Sequence, residues 1–152
     1  MKKEESKKVV KRNEPNLAMG LVGAICGSLI GVIIWVIIYK LGFIASFGGI
    51  AIAYGALLGF EKLGKGMDRK SLFICLTIVI LSVWFANRVA WAIEVSLALE
   101  EYASFGQCFT YMSNLLEIFN LTESYYSDLF VGYVLTALGC YKMIINVFKN
   151  VK

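Results

Sequence analysis

The sequence predicts an all-α membrane protein: one domain of four transmembrane helices with one amphipathic outer helix. Three observations carry this. Apolar residues make up 59% of the 152 residues and charged ones only 17%, with a mean hydropathy of +0.70. A soluble domain averages about 45–50% apolar and about 25% charged residues. The excess is concentrated in long uncharged stretches, and one further segment repeats its apolar residues at helical spacing.

Residues 1–15 read as a disordered basic tail, with Lys2, Lys3, Lys7, Lys8, Lys11 and Arg12 among the first twelve. Pro15 suits a first helical position, where its missing N–H is not needed. The first span is 17–39. At about 1.5 Å per residue it crosses a hydrocarbon layer of about 30 Å with some tilt. It is too long for the apolar region of a signal peptide, so it is expected to stay as an anchor. Trp35 and Tyr39 fall at its end, where aromatic rings favour the membrane–water interface.

A tight turn at Gly42 leads into the second span, 43–60, which makes an antiparallel hairpin with the first. The stretch 61–70, including Gly64, is polar and basic and reads as a loop. The third span is 71–93, with apolar residues continuing to Leu99. In the outer helix, 104–119, Phe105, Phe109, Met112, Leu116 and Phe119 recur at spacings of 4, 3, 4 and 3. Such a stripe lies on the membrane surface or folds over the bundle. Asn120, Thr122 and Ser124 end it, and Thr122 or Ser124 could cap the fourth span, 129–148. Residues 149–152 form a short tail.

Basic residues accumulate on the cytoplasmic side of a membrane protein. With the N-terminus inside, the tail, the loop 62–70 and the C-terminus hold twelve of them, against Lys40 and Arg88 outside. Both termini are therefore expected in the cytoplasm of a plasma-membrane protein.

The net charge of +4 is modest, and no aromatic residue interleaves the basic tail, which argues against a nucleic-acid partner. Histidine is absent. Cys26, Cys75, Cys108 and Cys140 are widely spaced and read as small buried apolar residues. Clustered ligands of the kind a metal needs are missing from the sequence, and no cofactor motif appears, so neither is expected.

Two features stand out. Gly23, Gly27 and Gly31 form a small-residue ridge on the first helix; Ala51, Gly55 and Gly59 form one on the second. Such ridges let membrane helices approach backbone to backbone. They join the two helices of the hairpin or, less simply, two copies of the chain. The second feature surrounds Arg88. Trp84 shares its helical stripe, and Asn87, Trp91 and Glu94 form the adjoining one. An ionisable residue at membrane depth is a functional candidate, although Arg88 could equally snorkel to headgroups. We expect it beneath residues 104–119, flanked by both tryptophans, with Glu117 as a partner.

The pattern Gly27, Gly31, Trp35, Tyr39, followed by the turn at Gly42 and the Gly59-Phe60-Glu61-Lys62 exit, resembles a small four-span membrane domain of Gram-positive bacteria. The resemblance covers about a third of the chain and implies a bacterial multipass protein, without an activity. The functional expectation is a non-enzymatic scaffold or accessory subunit. Its partners would be membrane lipid and a membrane protein, either a second copy or a different chain. The alternative is a small transporter or channel subunit with the outer helix as lid.

Overall fold

A computed structural model describes residues 16–41, 47–100 and 102–150. The basic tail and the turn at Gly42 lie outside them. The described residues form six helices and no strand: α1 Leu17–Lys40, α2 Phe47–Gly64, α3 Arg69–Leu99, α4 Phe105–Thr110, α5 Met112–Ile118 and α6 Thr122–Asn150. Helices α1, α3 and α6 are long and apolar enough to cross a membrane. The uncharged part of α2, 47–60, covers about 21 Å at the usual rise.

Local chemistry sets the helix ends. Asn16 caps α1 by accepting from the Met19 N–H at 3.2 Å. Asp68 caps α3 by accepting from the Ser71 N–H at 2.9 Å, and these bonds hold its carboxyl below the usual range. Lys65 at φ 57° and Gly66 at φ 139° reverse the chain between α2 and α3. Gly64, expected in a loop, is instead the buried last residue of α2, where its carbonyl accepts the Asn16 N–H at 2.9 Å.

α1, α2, α3 and α6 pack into one bundle. Its interior combines small residues such as Ala24, Ala53, Ala56, Cys75 and Ala86 with the large Trp35 and Phe60, while Ile30, Ile33, Phe73, Leu81, Phe130 and Leu138 point outward. Water would penalise that much contiguous apolar surface; lipid does not. Several polar side chains on these helices bond carbonyls, while the buried Trp35 Nε1 has no partner among the described residues. Thr77 donates to Phe73 at 3.0 Å, Thr136 to Gly132 at 2.6 Å and Tyr133 across to Ile80 at 3.1 Å.

The glycine ridges meet each other inside the protomer. A Cβ on Gly23 would stand 2.6 Å from the Gly59 carbonyl carbon, and one on Gly55 would stand 3.0 Å from that of Gly27. Gly31 meets the backbone of Ile52, not Ala51, which is turned to a groove on the outer face of the hairpin. The contact continues to Gly20 against Phe60 and to Gly48 against Trp35.

Several expectations change. Trp35 is fully buried, because Gly48, Gly49 and Gly132 open a slot for its indole; it is not an interfacial anchor. Cys26 is exposed, unlike Cys75, Cys108 and Cys140. α6 begins at Thr122, seven residues before 129, and continues through Lys149, so that the tail expected from 149 is helical there. The outer helix is broken at Tyr111 into α4 and α5. It packs on the bundle, α4 against α3 and α5 against α6, with Cys108, Met112 and Leu116 buried while Phe105 and Phe119 are exposed.

Candidate functional site

The end of the bundle at Leu99 and Thr122, called distal here, holds a second apolar cluster of Trp91, Ala92, Val95, Cys108, Met112, Leu116 and Tyr125. Arg88 stands at its edge. Its Nε and Nη2 donate to the Phe109 carbonyl at 3.0 and 2.8 Å, and Nη2 also to Thr110 at 3.4 Å. The guanidinium lies 5.5 Å from the Trp84 ring and 5.2 Å from that of Phe109.

These contacts explain the break at Tyr111. Helical bonds run from Tyr111 N–H to Gln107 and from Leu115 N–H to Tyr111. The carbonyls of Phe109 and Thr110 are those at the C-terminal end of α4, and they accept from Arg88. A cation at a helix C-terminus is favourable, and a side chain inserted into the ladder is a standard cause of a kink. Arg88 thereby holds α4 onto α3.

Arg88 and the four residues singled out with it do not form one cluster. Trp84 stays with Arg88. Asn87 is fully buried and donates through Nδ2 to the Tyr125 carbonyl at 3.4 Å. Trp91, expected to flank Arg88, instead donates through Nε1 to Asp128 Oδ2 at 3.2 Å and packs edge-on against Tyr125 at 6.0 Å. Glu94 is exposed and shares a cavity of about 460 Å³ with Tyr39 and Lys40. The reason is angular: positions 88 and 94 differ by six residues and so leave α3 on different faces.

Arg88 also borders a smaller cleft, about 290 Å³, between α3, α5 and α6. Ser113, Glu117, Thr122, Tyr125 and Tyr126 complete its polar lining. Glu117 thus faces the same space as Arg88, whose bonds go to backbone carbonyls. Tyr125 is 4% exposed; its hydroxyl, like Asn87 Oδ1, has no hydrogen-bond partner among the described residues. Buried polar groups are nearly always satisfied, so two orphans beside one arginine mark a polar pocket.

Sequence reasoning passed over Tyr125 and Tyr126 because residues 100–128 read as lying outside the membrane, with the fourth span starting at 129. The signal was present: Tyr125, Leu129, Tyr133, Thr136 and Cys140 repeat at 4, 4, 3 and 4, the inward stripe of α6. No group of three or more His, Cys, Asp or Glu suited to a metal occurs among the described residues. The chain matches no protein-family model, no curated protein and no solved structure.

Proposed function

We propose that this is a four-span integral protein of a bacterial plasma membrane, with both termini cytoplasmic and the distal end outside, acting as a non-enzymatic scaffold or accessory subunit. One observation carries the functional part. The interior is closed by backbone contact at Gly23–Gly59 and Gly27–Gly55 and by the Trp35 indole, and Thr77, Tyr133 and Thr136 on the spans bond carbonyls rather than lining a path. A rigid, closed bundle with clefts on its flanks suits holding a partner better than passing a solute. α2 serves as the fourth span in this reading, its short apolar length matched to the α1 face that it covers.

The transport alternative keeps α4–α5 as a lid, and its support is that the polar bonds between this segment and α3 come from Arg88, beside the apolar cluster of Cys108, Met112 and Leu116. The two readings separate in one experiment. A photo-crosslinking residue at Ile30 or Tyr54, both exposed on the hairpin, is activated in native membranes. A scaffold gives one discrete protein adduct, and liposomes containing the purified protein stay as tight to small ions as empty ones. Ion flux that follows protein content, with lipid adducts alone, would overturn the scaffold in favour of transport.

A further inference from the structure

We propose that the cleft between α3, α5 and α6 holds the headgroup of an amine-bearing phospholipid, with the phosphate on Arg88 and the ammonium on Glu117. The inference rests on the bilayer placement above and is independent of the scaffold role.

The lining selects the ligand class. One cation and one carboxylate face a single space with the hydroxyl-bearing Ser113 and Thr122. A purely anionic headgroup would meet Glu117, and a purely cationic one would meet Arg88. A zwitterion satisfies both. Arg88 is also pre-set for a phosphate. Its Nε and Nη2 bonds to Phe109 and Thr110 fix the guanidinium plane, while Nη1 has no acceptor among the described residues. A fixed guanidinium with free N–H groups suits phosphate oxygens.

Tyr125 supplies the second observation. Its phenol is buried and borders the cleft, and its hydroxyl lies beside Asn87 and Arg88 without completing a hydrogen bond of good geometry among the described residues. A phosphate oxygen brought against Arg88 gives that hydroxyl an acceptor after a small side-chain adjustment.

The mouth points to lipid instead of a soluble molecule. Trp84 and Tyr126 flank it and are 42% and 61% exposed. Leu81 on α3 and Phe130 on α6 continue the exposed apolar surface one turn further along each helix. About 290 Å³ is at the lower limit for a small-molecule pocket, so only a headgroup enters while acyl chains lie along that surface.

The test uses full-length protein in mild detergent, with native mass spectrometry after exposure to equal amounts of phosphatidylethanolamine, phosphatidylglycerol and phosphatidylcholine. Wild type should retain phosphatidylethanolamine roughly tenfold over the other two, the scale of one charge-assisted hydrogen bond. Glu117→Gln should abolish the preference over phosphatidylglycerol, and Tyr125→Phe should lower retention several-fold without lowering the melting temperature. Equal retention of the three lipids by wild type, or unchanged preference in both variants, overturns the proposal. Displacement of the lipid by soluble glycerophosphoethanolamine at matched concentration overturns the lipid source. Release of the protein from membranes by alkaline washing would instead sink the bilayer placement itself.

Discussion

Consider Gly23→Ala, a change of one methyl group. The added Cβ would stand 2.6 Å from the Gly59 carbonyl carbon and 2.9 Å from Leu63 Cδ1, where ordinary contact begins at 3.4 Å. Leu63 can turn away, but the carbonyl is helix backbone and cannot. The Gly59 carbonyl oxygen lies closer still, so α1 and α2 must part by about 1 Å or more at this level. A gap of 0.5–1 Å forfeits about a quarter to a half of the dispersion attraction of each atom pair along it. Overpacking of this kind costs about 1–3 kcal/mol. For a chain of this size each kcal/mol shifts Tm by roughly 2–4 °C, so the melting point in detergent should fall by about 2–12 °C. Gly59→Ala should do the same, and the double variant should cost less than the sum, because both methyl groups open one seam. Gly106→Ala is the control: a Cβ there meets nothing within 4 Å. If Gly23→Ala and Gly59→Ala both melt within 1 °C of wild type, the ridges do not pack inside the protomer. Loss of an oligomer at unchanged Tm would move the contact between copies.

Arg88→Leu should free the Phe109 and Thr110 carbonyls; amide exchange across 105–118 should quicken by about tenfold or more, from about 1–3 kcal/mol per unsatisfied group, while Arg88→Lys gives a smaller change. Unchanged protection would deny Arg88 its hold on α4. Gly132→Ala drives a methyl carbon to 2.5 Å from the Trp35 ring and should destabilise the bundle by about 1–3 kcal/mol; Trp35→Phe should recover part of that loss, read from melting of the four-variant cycle. For topology, a single cysteine at Lys65 in a Cys26→Ala background should react only from the cytoplasm and one at Tyr102 only from outside. Labelling of position 65 in intact cells would reverse the orientation.

The helices were legible because their signal is local: long uncharged runs, and a small residue every fourth position over 23–31 in α1 and 51–59 in α2. The pairing of Gly23 with Gly59 and Gly27 with Gly55 follows from antiparallel helices of equal rise. What failed to show was anything requiring a partner's position. Trp35 looks like an interfacial residue until Gly48 and Gly132, from two other helices, make room for it. Arg88 was visible as an anomaly, but its acceptors are main-chain carbonyls, which any sequence offers everywhere. Trp91 and Glu94 were assigned to the Arg88 neighbourhood by proximity along α3, but Trp91 turns to Asp128 of α6 and Glu94 to Tyr39 and Lys40 of α1.

The α1–α2 seam has a mechanical consequence. Carbonyls of Gly55 and Gly59 sit in the notches that Gly27 and Gly23 leave, and the α1 carbonyls sit in those of α2. Sliding either helix by one residue would drive a side chain such as Ala24 or Ala56 into a carbonyl. The hairpin therefore behaves as one stiff beam, keyed along its length. On the bilayer placement proposed above, a change in bilayer thickness should tilt this beam as a unit. Give is confined to seams where side chains meet, and chiefly to the α3–α6 flank, which carries the kinked helix and the Arg88 cleft.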